Sequence, residues 1–137
     1  RNPDSVRPWQ HVLEPLSGYL LLAEKMVTDG HSFAEAWNFG PKKNDLKTVS
    51  WMINYLVKKI PNAKWEIDKA KQPHEAKLLL LDSNKAKSKL GWMQKLSLDI
   101  AIDKTIEWHE AWKDNQPMEK ISISQINFYE EFQAKNN

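Results

Sequence analysis

From Leu13 onward the apolar residues Leu16, Leu20, Ala23 and Val27 recur at the three-to-four-residue interval of one helical side. Pro15 falls in the first turn, where a missing N–H breaks no intrahelical bond, and Gly30 offers a stop. The interval predicts a helix over 13–30, preceded by an extended lead-in over 1–12 that holds two prolines.

Further on, the apolar runs shorten. "AWNFGP", residues 36–41, suits a brief buried strand that ends in a turn. Asp45 stands where it could cap a second helix, whose Val49, Met52, Ile53, Leu56 and Ile60 share a side and which Pro61 stops. "KWEI" (64–67) and "KLLLLD" (77–82) predict two more strands, the latter because four consecutive leucines exceed the needs of one amphipathic face. Asp82 or Ser83 can cap a short helix over "NKAKSKLG", closed by Gly91. Ser97 opens a longer helix with Leu98, Ala101, Ile102, Thr105, Trp108 and Trp112 along one side. A last helix is expected from about Ser124 to Gln133, with Ile126, Tyr129 and Phe132 inward. The sum is an α/β, helix-rich chain of four or five helices with three short strands.

Composition narrows this picture without redirecting it. At 137 residues, with no internal repeat, low-complexity tract or Gly/Ser linker, the chain fits one domain of roughly 100–200 residues. Its 20 basic and 18 acidic residues are interspersed, so no strong field invites nucleic acid or an anionic membrane. Without cysteine there is neither a disulfide nor thiolate chemistry, and no apolar run approaches the roughly 18 residues of a membrane span. A cytoplasmic location is the simplest expectation. The chain starts at Arg1 with no charged-then-apolar leader, and a piece cut from something longer is expected.

Several chemistries lack their residues. Gly18, Gly30, Gly40 and Gly91 are too far apart for a G-x-G-x-x-G or phosphate loop. His11, His31, His74 and His109 have no metal-ligand spacing, so no metal is expected. Tyr-x-x-x-Lys spacing occurs only at Tyr55 and Lys59, inside the second helix, where a surface tyrosine over a lysine stem is the better reading.

Binding residues remain. Arg7, in "VRPWQHV", could offer its planar fork to two phosphate oxygens, although most arginines are simply solvated. Trp9 could stack on a ring or fill the core, with Gln10 and His11 holding the segment. In "QPHEAKLLLLD" a carboxylate at Glu75, beside His74, could accept two hydrogen bonds from a vicinal diol such as a ribose. Seven tryptophans could suggest a carbohydrate platform, but their placement on predicted helices and strands makes most of them core.

Taken together, "RNPDSVRPWQHVLEPLSGYLLLAEK", "AWNFGP", "PHEAKLLLLDSNKAKSKLGW" and "TIEWHEAW" resemble, in order over residues 1 to about 112, the C-terminal part of CDP-glucose 4,6-dehydratases. These are extended Rossmann-type short-chain dehydrogenase/reductases, so the resemblance implies their C-terminal substrate-binding part. It implies a parent lyase that uses NAD to oxidise the sugar at C4, eliminates water across C5 and C6 and returns the hydride to C6. In such enzymes the NAD loop, the Tyr-x-x-x-Lys pair and the acid/base residues lie N-terminal to the matched region. No catalytic, cofactor or metal residue is therefore expected here, and residues 1–137 would be a single nucleotide-sugar-binding region, inactive alone.

By the same resemblance Arg7 matches an arginine that meets the nucleotide diphosphate, and Asn38 matches the asparagine of a "YNIG"-like segment near the nucleotide. His74 and Glu75 fall where relatives carry a ribose-contacting Arg-Pro-x-Glu or similar motif, with Gln72 in place of the arginine. "LGWMQ" departs from the common "LGW-x-P", which leaves the exit from the Trp92 helix undetermined. The implied partners are a CDP-sugar and an N-terminal NAD-binding domain absent from this chain, with homo-oligomerisation open. The alternatives are another sugar-nucleotide epimerase or dehydratase, and a non-catalytic helical interaction module.

Overall fold

The computed structural model describes residues 2–71 and 73–132. Strand β1 (Val6–Arg7) is followed by helix α1 (Leu13–Asp29), strand β2 (Lys47–Thr48) and helix α2 (Val49–Lys59). After a long stretch whose described residues form no helix or strand come a π-helical turn (Ala86–Leu90) and helices α3 (Leu98–Lys113) and α4 (Met118–Glu131).

Helix α1 forms where its spacing predicts, with Leu13 N–H donating to His11 Nδ1 (3.3 Å) at its start and Gly30 at positive φ (58°) at its end. Its orientation differs from a simple amphipathic reading. Leu20 and Val27 are 72% and 87% exposed, and Leu16 and Ala23 also face solvent. The inward side carries Glu14 and Gly18, both buried, with Leu21 and Leu22 packed on a core of Phe39, Ala86, Leu90 and Trp92. Gly18 sits directly under the Phe39 ring, so a Cβ there has no room. Phe39 meets Trp92 edge to face at 5.2 Å, a favoured arrangement for two aromatic quadrupoles.

All three predicted strands are corrected. "AWNFGP" buries Phe39, Gly40 and Pro41 but pairs with no ladder, because the Phe39 carbonyl is taken by Gln10 Nε2 (2.8 Å) and both Gly40 backbone groups by Ser83 Oγ. "KWEI" is irregular. "KLLLLD" makes a single parallel bridge, Val6 to Leu78, and its leucines are 39–57% exposed. The strands that do form are antiparallel, Val6 opposite Thr48 and Arg7 opposite Lys47.

Asp45 caps a helix, but not the expected one. Thr48 Oγ1 accepts from Trp51 N (3.1 Å) to start α2, while Asp45 Oδ1 accepts from Leu98 N (3.1 Å) to start α3. Helix α4 begins six residues before the expected Ser124, turning Gln125 and Tyr129 inward, while Ile126 is 42% exposed. The expected end at Gln133 lies outside the described residues. Of the tryptophans only Trp92 is buried in the core; Trp65, Trp108 and Trp112 are exposed, contrary to expectation. Tyr55 and Lys59 both reach Asp103 (3.1 and 3.0 Å), fastening α2 to α3, with the ammonium over the tyrosine ring. That hydroxyl is pushed up in pKa by burial and by Asp103, the reverse of what a tyrosine base requires. None of the described helices is long and apolar enough to cross a membrane.

Candidate functional site

Strand β1 is only two residues long, yet it joins three separated segments. On one side it pairs with β2; on the other Val6 N donates to Lys77 O (2.8 Å) and Leu79 N to Val6 O (3.2 Å). This junction carries the 73–77 segment past Arg7. Arg7 Nη2 forms an ion pair with Glu75 Oε1, its Nη1 donates to Val6 O (2.8 Å), and Asn2 Nδ2 donates to Glu75 Oε2 (2.9 Å). The Arg7 and Glu75 side chains are 17% and 25% exposed, so the pair is sheltered but reachable.

Glu75 and exposed His74 line a cavity of about 510 Å³ together with Asn2, Asp4, Asp68 and Lys77. Among the described residues the rim sets three carboxylates against one lysine, a balance that suits hydroxyl donors better than phosphate. Among the described residues, two of the five guanidinium N–H donors of Arg7 are spent, on Val6 and Glu75.

The other sequence-derived residues lie differently. Trp9 is half-buried with Nε1 donating to Lys47 O (3.1 Å), which braces β1 to β2 through the indole. Asn38 is exposed and, among the described residues, makes no side-chain hydrogen bond to the Arg7 and Glu75 pair. Gln72 lies outside the described residues. Among the described residues no group of three histidines or carboxylates gathers as metal ligands.

Sequence reasoning missed a heavily bonded carboxylate. Glu14, fully buried, accepts from Leu96 N (2.7 Å), Lys95 N (3.1 Å) and the Tyr129 hydroxyl (2.9 Å). Trp92 Nε1 donates to the Glu14 carbonyl (3.2 Å), and Ser17 Oγ meets the Tyr129 hydroxyl (2.9 Å). Burial raises the Glu14 pKa against the opposing pull of these donors. An acidic residue inside "HVLEPLSGYLLL" was the available signal. Gln94 is a second omission: it accepts from Lys42 N (2.6 Å) and donates to Asp45 Oδ2 (2.9 Å) and Leu96 O (2.6 Å). The departure from "LGW-x-P" therefore has a structural answer, since a side chain fixes the exit that a proline would otherwise stiffen.

These features define a helix-rich unit with a short two-stranded sheet and a polar, ligand-sized corner where β1 meets β2 and the 77–79 backbone. No family model matches the chain. Over 130 residues, 94% of its length, it is 43% identical to a CDP-glucose 4,6-dehydratase of Salmonella typhimurium, which bears out the resemblance carried by the sequence motifs. The chain spans 36% of the length of that relative.

Proposed function

We propose that this chain is the nucleotide-sugar-binding portion of a CDP-glucose 4,6-dehydratase, the C-terminal part of an extended short-chain dehydrogenase/reductase. The observation that carries the reading is 43% identity sustained over 94% of the chain. The meeting of Arg7 with Glu75, residues 68 positions apart, supports it, because a diphosphate contact and a ribose contact must lie close together. In this reading Glu75, with His74 beside it, accepts the ribose hydroxyls, and Arg7 exchanges part of its bond to Glu75 for phosphate oxygens. Trp9 keeps the strand in place, and Asn38 approaches the nucleotide only with help from residues outside this chain.

The residues present do not fit NAD. Gly18 is packed under Phe39, Gly30 and Gly91 close helical segments at positive φ, and Gly40 is clamped by Ser83, so none is free to cradle a pyrophosphate. NAD and the steps of oxidation, elimination and hydride return belong in this reading to the rest of the longer enzyme, and the chain alone is inactive. The exposed apolar side of α1, with Leu20 and Val27 foremost, is the surface on which the NAD-binding domain would rest.

Titration of the chain with CDP, UDP, GDP and dTDP, alongside Arg7→Ala, tests the site. Weak binding with CDP preferred, and lost in the variant, is expected; equal responses in both proteins would remove Arg7 from the site. Sequencing the coding region on the N-terminal side of Arg1 tests the parent: a Gly-x-x-Gly-x-x-Gly turn and a Tyr-x-x-x-Lys are expected there, and their absence would refute it.

A further inference from the structure

The 40–43 loop, the 80–84 segment and the 92–94 segment surround a cavity of about 530 Å³ that shares no residue with the Arg7–Glu75 corner. Its size falls within the roughly 300–1,000 Å³ of small-molecule sites. The walls are cross-braced before any ligand arrives. Gly40 N donates to Ser83 Oγ (2.7 Å), tying the first wall to the second, and Lys42 N donates to buried Gln94 (2.6 Å), tying it to the third. A site held in this way loses little freedom on binding.

The lining is divided in character. Leu46, Leu80, Leu81 and Met93 form an apolar floor, of which Leu80 and Met93 are 50% and 58% exposed with nothing covering them among the described residues. Lys42, Lys43 and Lys87 also line the cavity, against a single acid among the described residues, Asp82, whose Oδ1 already accepts from Asn84 N (2.9 Å). The neighbouring lysines show the contrast. Lys85 and Lys89 both pair with Glu35, whereas Lys87, between them in sequence, has no carboxylate partner among the described residues, and neither have Lys42 and Lys43. Lys42 does feel the charge of Glu14, but that carboxylate is itself bonded to two backbone amides and a hydroxyl.

We infer that this cavity is a second binding site, for a small organic phosphate whose other end is a flat apolar group. The ring would lie on the leucine and methionine floor while the phosphate meets the three lysines, so neither half alone satisfies the site. Arg7 and Glu75 have no part in it.

The test is an NMR titration of the whole chain with 1-naphthyl phosphate, read at the backbone amides of Gly40 and Ser83. Inorganic phosphate and neutral 1-naphthol probe each half separately. The expected result is a shift at both amides and affinity at least about tenfold above either half-ligand, weakening as salt rises from about 50 to about 300 mM. Replacing the three lysines together (Lys42→Gln, Lys43→Gln and Lys87→Gln) should lower affinity about tenfold, and Leu80→Asp should do the same from the apolar side. Arg7→Ala should leave this binding intact, which separates its failure from failure of the nucleotide-sugar site. Equal binding of 1-naphthol, an unaffected triple variant, loss of the shifts in Arg7→Ala, or no shift at Gly40 would each overturn the inference.

Discussion

Glu14 and Glu75 are both carboxylates that reach across the chain, and their surroundings have opposite consequences. Glu14, with no exposed surface, is held by two backbone N–H groups and a hydroxyl, and it joins α1, the 95–96 segment and α4. Glu75 keeps a quarter of its side-chain surface in solvent and meets the side chains of Arg7 and Asn2. A buried carboxylate held mainly by backbone groups belongs to the fold; a partly exposed one whose donors are side chains can exchange partners for a ligand.

Removing each in turn tests that contrast. Glu14→Ala should cost about 3–5 kcal/mol in urea unfolding, since two buried amides and a hydroxyl lose their acceptor and a void remains. Glu14→Gln should cost less, and an alanine variant as stable as the parent would abolish the contrast. Gly18→Ala, on the same helical side, should cost about 1–3 kcal/mol because the new Cβ runs into Phe39. Tyr129→Phe removes a hydroxyl shared by Glu14 and Ser17 and should cost about 1 kcal/mol.

A smaller effect is expected in pH dependence. Burial, assisted by Lys104, lowers the His11 pKa below its usual 6.5, so the folded state favours neutral imidazole. That contribution is complete above pH 6.5 and is lost as pH falls through the lower folded value. Glu14 acts in the other direction: with its pKa raised above 4.5, its contribution is complete below that value and is lost as pH rises through the folded value. The stability advantage of the parent over His11→Gln should therefore shrink between pH 7.5 and 5, and a constant difference would contradict the burial argument. The smallest effect belongs to the open corner. Arg7→Ala or Glu75→Gln should change stability by no more than about 1 kcal/mol, while Arg7→Ala abolishes nucleotide binding.

The helices were legible because the 3.6-residue interval, Gly30, Pro61 and Gly91 are local signals. Which side of α1 turns inward was not, since the buried side is marked by Glu14 and Gly18, polar and small, and of the leucines Leu21 and Leu22 pack inward while Leu16 and Leu20 face out. The strands were misplaced for a related reason. "KLLLLD" has strand-forming bulk but finds one bridge partner, whereas Val6–Arg7 pairs by virtue of neighbours about 40 and 70 positions away. At the candidate site the fold brings Arg7 and Glu75 together across 68 positions, while Trp9 braces the strands and Asn38 stays apart.

The cap that Leu98 receives comes from Asp45, outside its own helix. Ser97, the residue placed to cap α3 locally, makes no side-chain hydrogen bond to it. The first turn of α3 therefore gains its side-chain cap only from the Lys43–Asp45 turn, so this helix end is closed by a contact across 53 positions and not by its own sequence. Removing that carboxylate, as in Asp45→Ala, would uncouple the start of α3 from a turn far back in the chain.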